Sequence, residues 1–136
     1  MIGLDTNVLV RYIVRDEPRQ TAAATRLIES SCSAESPGIV PLIVLCEVVW
    51  VLERAYRYRR TPIAGVVRRI LSAEDLQVER SELAWQALGL YEKGKADFAD
   101  YAIGLSGRNA KAEATYTFDR RTANCPLFKV LAVLAV

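Results

Sequence analysis

Short apolar segments that favour β-strands alternate with longer amphipathic segments that favour helices along this chain. The predicted strands cover residues 2–4, 38–40, 76–78, 114–118 and 128–133. The predicted helices cover residues 6–13, 18–29, 42–56, 62–73, 81–92 and 97–109. Alternation of this kind predicts an α/β fold, here a three-layer α/β/α sandwich around a mostly parallel central sheet. Because no internal repeat or linker interrupts it, residues 1–136 are predicted to form a single domain.

Two aspartates directly follow predicted strands. Asp5 comes after the strand at residues 2–4, and Asp119 comes after the strand at residues 114–118. In open parallel sheets, ligands bind at the carboxyl ends of the strands. The two aspartates are therefore expected to meet at one edge of the sheet, although either could instead cap the helix or turn that follows it.

The composition excludes several kinds of active site. The chain has no histidine, so histidine-based zinc sites, Ser-His-Asp triads and histidine general bases are all excluded. Arginine supplies fourteen of the eighteen basic residues, against a formal net charge of only +2. Arginine pairs with phosphate through a bidentate fork, so this bias is compatible with a nucleic-acid partner but does not establish one.

The remaining composition favours a cytoplasmic protein. Three widely spaced cysteines, Cys32, Cys46 and Cys125, suit a reducing compartment better than a disulfide framework. The chain begins in an apolar segment without the basic region of a signal peptide. Its most apolar stretch, residues 39–52, includes Pro41 and Glu47 and is too short to span a bilayer. We therefore expect a cytoplasmic protein with no membrane partner.

Glu47 lies in the segment LIVLCEVVWVL, which is apolar on nearly every side of the predicted helix. A carboxylate in such a position is expected to be buried, and a buried carboxylate is almost always paired or bound to a metal. No cation lies within one helical turn, because positions 43, 44, 50 and 51 are Ile, Val, Trp and Val. A metal role is favoured, and a long-range pair with an arginine is the alternative.

Asp97 and Asp100 lie three residues apart at the start of a predicted helix. A favourable interaction with the helix macrodipole explains one acid there better than two, because like charges one turn apart repel. Asp5, Glu47, Asp97, Asp100 and Asp119 together are predicted to converge. Convergent carboxylates require a compensating cation, and a set of oxygen ligands without histidine or cysteine selects Mg²⁺ or Mn²⁺. Such a site suits phosphodiester hydrolysis.

Four segments resemble the acidic motifs of PIN-domain proteins of the VapC group, in the family's order and spacing. They are IGLDTNVLVRYIV, CEVVWVL, KADFADYAIGL and TYTFDRR, which together span nearly the whole chain. The aspartate followed by Thr-Asn and the Asp-Phe-Ala-Asp segment that opens a helix are the more specific two. The resemblance implies a PIN-like fold and the activity of a metal-dependent endoribonuclease.

The resemblance also implies a role for each matching residue. Asp5, Glu47, Asp100 and Asp119 would be the catalytic acids, with Asp5 and Asp100 as direct ligands of Mg²⁺ or Mn²⁺. Asp97 would be an accessory acid near the metal. Thr6 and Asn7 would position the first carboxylate or a water.

Relatives of this kind are toxins that cut tRNA or ribosomal RNA and inhibit translation. They usually form homodimers, and a small VapB-like antitoxin blocks their acidic groove. The same partners are expected here: an RNA substrate, an antitoxin and a second copy of the chain. Arg120 and Arg121 are expected to meet RNA phosphates. The Arg54, Arg57, Arg59 and Arg60 loop could do so as well, or could be a solvated helix end.

Other interpretations fit less well. A phosphatase of the haloacid dehalogenase class needs a second aspartate two residues after the first, where this chain has Asn7. A bacterial receiver domain needs an early acidic pair after a strand, and Asp16-Glu17 does not follow one. The main alternative without catalysis is a PIN-like module that binds RNA or a protein.

Overall fold

The computed structural model describes residues 1–135, which divide into two compact units. The first unit is Met1–Trp85, and the second begins at Gln86. Helix α5, Ser81–Lys93, starts in the first unit and ends in the second.

The first unit contains four complete helices and one pair of strands. In chain order they are α1 (Thr6–Val14), α2 (Pro18–Ser31), β1 (Gly38–Val40), α3 (Leu42–Arg54), α4 (Arg60–Ser72) and β2 (Leu76–Val78). The helix starts follow from local chemistry, because Asp5 and Glu17 cap α1 and α2 with their carboxylates. Pro18 occupies the first position of α2, where its missing N–H costs nothing.

The strands of the first unit are short and parallel. Strand β1 pairs with β2 in parallel register, with Val40 opposite Val78. The predicted strand at residues 2–4 is reduced to a single parallel bridge between Gly3 and Ile39. Two hydrogen bonds support that bridge: Leu4 N–H donates to the Ile39 carbonyl at 2.9 Å, and Ile39 N–H donates to the Ile2 carbonyl at 2.7 Å. The chain therefore reaches Asp5 directly from a paired segment.

Apolar side chains from every element fill the core of the first unit. Helix α1 packs on α2 and α3, and α3 packs on α4. The fully buried side chains include Leu9, Ile28, Val40, Leu45 and Ile63. In α2 the buried positions Thr21, Ala24 and Ile28 follow helical spacing, as an amphipathic helix requires.

Up to residue 135, the second unit contains the end of α5, helix α6, one pair of strands and one 3-10 turn. Helix α6 is Phe98–Asn109, β3 is Thr115–Thr117, the 3-10 turn is Arg120–Thr122 and β4 is Phe128–Val130. Strands β3 and β4 pair in parallel, with Thr115 opposite Phe128. Tyr91 and Phe98 pack edge to face in its core, with ring centroids 6.0 Å apart.

Gly104 allows α6 to approach β4 closely. A Cβ atom at this position would lie 2.8 Å from the ring of Phe128, which is closer than packed atoms tolerate. The absence of a side chain at Gly104 therefore allows the close contact between α6 and β4.

The predicted α/β fold is confirmed: helices alternate with short strands, and both strand pairs within residues 1–135 are parallel. Several predicted boundaries were wrong by a few residues. The strands predicted at 114–118 and 128–133 are three residues each, and α3 ends at Arg54 rather than near residue 56. Helix α4 begins at Arg60, two residues before the expected Pro62, because proline is also tolerated within the first turn. No helix within residues 1–135 is long and apolar enough to cross a membrane.

Candidate active site

Asp5 lies at the start of α1, immediately after the buried Leu4. Its Oδ1 accepts a hydrogen bond from the backbone N–H of Thr6 at 2.8 Å, and its side chain is exposed. Within residues 1–135 that bond is the only one its carboxylate makes. The capping role suggested by the sequence is thus present, and Oδ2 stays accessible to a ligand.

The side chain of Glu47, on α3, accepts a hydrogen bond from a residue of α1. The hydroxyl of Thr6 donates to Glu47 Oε1 at 2.7 Å, and Thr6 itself is buried. The expectation that Glu47 would be buried was wrong, because its side chain lies on the exposed face of α3. The apolar residues around it are not all buried either, since Ile43 and Trp50 lie on the same exposed face.

Thr6 therefore contacts both candidate acids of the first unit. Its backbone N–H binds Asp5 and its hydroxyl binds Glu47, so it orients two carboxylates at once. The sequence led us to expect a positioning role toward Asp5, and the contact with Glu47 was not foreseen. The side chain of Asn7 is exposed and makes no hydrogen bond within residues 1–135.

The candidate acids of the second unit lie at the starts of two helical elements. Asp97 occupies the N-cap position of α6, and its backbone N–H donates to Asp100 Oδ2 at 3.0 Å. Asp119 caps the 3-10 turn by accepting the backbone N–H of Arg121 at 2.9 Å. All three carboxylates are partly buried. The alternative roles considered for these acids, as caps and turn residues, are therefore real features of the local structure.

The guanidinium of Arg121 lies among these three carboxylates. It binds Asp119 through both oxygens, with Nε to Oδ1 at 3.0 Å and Nη2 to Oδ2 at 2.6 Å. Nη1 lies 3.2 Å from Asp97 Oδ1, and Nη2 lies 3.4 Å from Asp100 Oδ2. One cation thus brings together Asp97, Asp100 and Asp119, which the sequence predicted to converge.

The electrostatic environments of Asp100 and Asp119 shift their pKa values in opposite directions. Partial burial raises the pKa of Asp100, and the charges of Asp97 and Asp119 add to that rise, against the hydrogen bond from Asp97 N–H and the charge of Arg121. The hydrogen bonds from Arg121 lower the pKa of Asp119. The pKa of Arg121 is raised in turn, chiefly by its hydrogen bonds to Asp119 and Asp97. The negative charge of Asp100 is therefore less well compensated than that of Asp119.

The donor set of the second unit fits a hard divalent cation in its chemistry. It offers carboxylate oxygens only, and the guanidinium of Arg121 shows that a positive group is accepted among them. Within residues 1–135, no group of three or more His, Cys, Asp or Glu side chains is arranged closely enough to hold an ion by itself. A metal would therefore need adjustment of these side chains, water, or ligands from a substrate.

The contact of Arg121 with the acids was missed by sequence reasoning, which assigned Arg120 and Arg121 to RNA phosphates. Arg121 contacts carboxylates instead, while Arg120 is exposed. The spacing Asp-x-Arg was the available signal, since a side chain two residues along a tight turn can fold back on the capping aspartate.

A family model and a related protein indicate the family of this chain. The family model for the PIN domain matches residues 2–126. The chain is 30% identical over 118 residues to a VapC ribonuclease of Aquifex aeolicus (strain VF5), covering 87% of each protein. It is also similar to the crystal structure of VapC20 of Mycobacterium tuberculosis, a sarcin-ricin-loop-cleaving toxin. That match has 21% sequence identity and a TM-score of 0.43, and it covers 92% of this chain and 95% of the other.

Proposed function

Because this chain belongs to the PIN-domain family, and within it to the VapC ribonucleases, we propose that it is a metal-dependent endoribonuclease and the toxin of a toxin–antitoxin pair. The observation that carries the metal dependence is the group of three carboxylates, Asp97, Asp100 and Asp119, around one positive charge. Three neighbouring carboxylates repel one another unless a cation compensates their charge. Ribonucleases that lack histidine need another source of an activated water, and a divalent cation supplies one.

The proposed catalytic acids are Asp5, Glu47, Asp100 and Asp119. Asp5 and Asp100 would hold Mg²⁺ or Mn²⁺ directly, since Mg²⁺ commonly takes one or two carboxylates and completes its shell with water and phosphate oxygens. When bound, the metal supplies an activated water and neutralises charge on the phosphate. Asp97 would be an accessory acid near the metal.

The protein's own groups would orient the reacting atoms. Thr6 fixes Oε1 of Glu47 by its hydroxyl, which leaves Oε2 free to accept a proton from a water. Asp5 Oδ1 is fixed by the backbone of Thr6, which leaves Oδ2 for the metal. Asn7 would bind a water beside them. Thr6 holds the carboxylates of both Asp5 and Glu47, so the position of one carboxylate relative to the other depends on Thr6.

RNA, in the form of tRNA or ribosomal RNA, is the proposed substrate. Arg54, Arg57 and Arg59 at the end of α3 and in the loop after it are exposed and make no ion pair within residues 1–135, so they are free to bind phosphates. The guanidinium of Arg54 also lies 5.7 Å from the ring centroid of Trp50, an arrangement on which a base could stack. Arg60 is half-buried and already has a contact of its own.

Two protein partners are part of the proposal. A small VapB-like antitoxin would block the acidic groove, and the contacts of Arg121 support an arginine as the blocking group, because these carboxylates already accept a guanidinium fork. A second copy of the chain would cover exposed apolar residues of helices other than α3, such as Ile103 of α6, which is 55% exposed. A cytoplasmic location is consistent with three free cysteines.

Cleavage of RNA by purified protein tests the proposed function. Protein freed of any antitoxin would be incubated with total cellular RNA and Mg²⁺ or Mn²⁺, beside samples with EDTA and with the Asp100→Asn variant. We expect discrete fragments that disappear in both controls. Absence of cleavage by folded protein with either ion would favour the alternative of a PIN-like module that binds RNA or a protein without cutting it.

A further inference from the structure

Arg121 makes more polar contacts with acids than any other cation in the second unit for which contacts are described. Its Nε and Nη2 bind both oxygens of Asp119, its Nη1 reaches Asp97 and its Nη2 also reaches Asp100. Its backbone N–H adds a bond to Asp119 Oδ1 at 2.9 Å. Three carboxylates therefore share one guanidinium, which leaves the group with an excess of negative charge.

We propose that Arg121 is the resident counterion of these carboxylates in the metal-free protein, and that the guanidinium and a divalent cation are alternative occupants. Binding of a metal would then require Arg121 to leave Asp97 and Asp100. This inference rests on the proposed function, because that function requires a metal. It goes further in making Arg121 a residue that controls the affinity of the site for the metal.

Electrostatic repulsion explains why the three carboxylates need a positive group among them in the metal-free protein. Without Arg121, Asp97, Asp100 and Asp119 would repel one another, because their charges would lie close together and only partly in water. The guanidinium fork keeps the three side chains near a common point. The cluster therefore stays assembled in the absence of metal.

The solvent exposure of Arg121 explains why a metal ion can displace its guanidinium. Arg121 is 47% exposed, and ion pairs that solvent reaches contribute little net stability. A divalent cation carries twice the charge and is itself suited to carboxylate oxygens. The contacts to Asp97 and Asp100, at 3.2 and 3.4 Å, are longer than the contact to Asp119 at 2.6 Å, so they are the ones expected to break first.

The test compares Arg121→Gln with Arg120→Gln, a matched control that removes one charge from the exposed neighbouring arginine. Mn²⁺ affinity would be measured by calorimetric titration, and thermal unfolding would be followed in EDTA. We expect Arg121→Gln to bind Mn²⁺ about two- to tenfold more tightly, the range allowed by a few solvent-exposed ion pairs. We expect its Tm in EDTA to fall by about 1–4 °C. Arg120→Gln should change neither quantity.

Unchanged or weaker Mn²⁺ binding by Arg121→Gln would overturn the inference, as would a lack of Mn²⁺ binding by both proteins. Arg121→Lys serves if the glutamine variant does not fold, because it keeps the charge but loses the fork. It should bind Mn²⁺ more tightly than the unsubstituted protein, and equal or weaker binding would also overturn the inference. RNA cleavage is scored separately, so a protein that binds Mn²⁺ as expected but never cuts RNA would contradict the proposed function and leave the role of Arg121 standing.

Discussion

Asp100 combines a hydrogen bond that supports a helix start with an unfavourable electrostatic environment. It accepts the backbone N–H of Asp97 at the start of α6, yet it lies near two other carboxylates and is partly buried. Its pKa is raised above the ordinary value of 3.8, so the folded metal-free protein tolerates its charge less well than the unfolded chain does. An acid in such an unfavourable environment is a candidate ligand for a cation.

Replacing Asp100 with asparagine is predicted to stabilise the metal-free protein at neutral pH. The amide oxygen can still accept the Asp97 N–H, while the unfavourable charge is removed. Because the folded-state pKa is raised, the charge lowers stability above that pKa and ceases to do so once acidification protonates the carboxyl. The gain of about 1–4 °C in Tm should therefore be present at pH 7 in EDTA and shrink as the pH falls through the pKa of Asp100.

Asp16→Asn is a control for which the opposite change in Tm is expected. The hydrogen bond from Tyr56 lowers the pKa of Asp16, so its charge favours the folded state above the unfolded pKa and this contribution is lost on acidification. Its substitution should lower Tm at neutral pH. A lower Tm for Asp100→Asn at pH 7 would contradict the electrostatic account of the cluster.

Thr6 gives a second prediction about a single residue. Thr6→Val keeps the shape of the buried side chain but removes the hydroxyl that binds Glu47 Oε1. For the active-site role proposed for Glu47, loss of an orienting hydrogen bond is expected to cost about 10- to 100-fold in activity, so RNA cleavage should fall by that factor. Thr6→Ser retains the hydroxyl and should stay near the starting activity. Equal rates for the valine and serine variants would show that the bond to Glu47 is not needed.

The sequence singles out candidate acids, but it does not show how their side chains are held. The acids stood out because of their neighbours in the chain, such as the apolar run before Asp5. The exposure of Glu47 could not be predicted, because a helix with apolar residues on nearly every side gives no indication of which face stays uncovered. The contact of Thr6 with Glu47 joins residues that are 41 positions apart, and no local pattern reports it.

At the level of elements, helix starts were easier to predict than strand lengths. Asp5 and Pro18 carry local chemistry that marks the beginnings of α1 and α2. The strands are only three residues long, and their ends depend on which neighbour pairs with them rather than on their own side chains. The 3-10 turn at Arg120–Thr122 was not predicted, although it is the element that brings Arg121 back to Asp119.

The C-terminal end of α6 offers a prediction about an element. Lys111 follows this helix with φ 70°, in the left-handed region, and is exposed. That backbone costs a residue with a Cβ roughly 1–2 kcal/mol. Glycine removes the cost but adds roughly 0.4–1 kcal/mol of unfolded-state entropy. Lys111→Gly should therefore stabilise the protein by up to about 1.6 kcal/mol, measured by urea unfolding.

Lys95→Gly is the matched control, since this exposed lysine of the same unit lies outside the left-handed region. It should only destabilise, because the entropic term has nothing to offset it. If both glycine variants lost stability equally, strain at the end of α6 would not be the relevant term.

At the level of the whole molecule, the family model for the PIN domain matches residues 2–126, which contain all five candidate acids. The acids divide between the two compact units, with Asp5 and Glu47 in the first and Asp97, Asp100 and Asp119 in the second. Their joint action as one catalytic centre, and a single domain over residues 1–136, stay predictions. Both depend on long-range packing, which motif order does not specify.

Single-turnover RNA cleavage by Asp5→Asn, Asp100→Asn and the double variant tests the joint action most directly, with Asp16→Asn as a control outside both groups of acids. Residues that serve one centre are strongly non-additive, because the first loss already removes the centre's effect. We predict that each single variant loses about 100-fold or more, that the double variant is no slower than the worse single variant, and that Asp16→Asn cleaves normally. Losses that multiply in the double variant, or full cleavage by Asp5→Asn, would contradict the account.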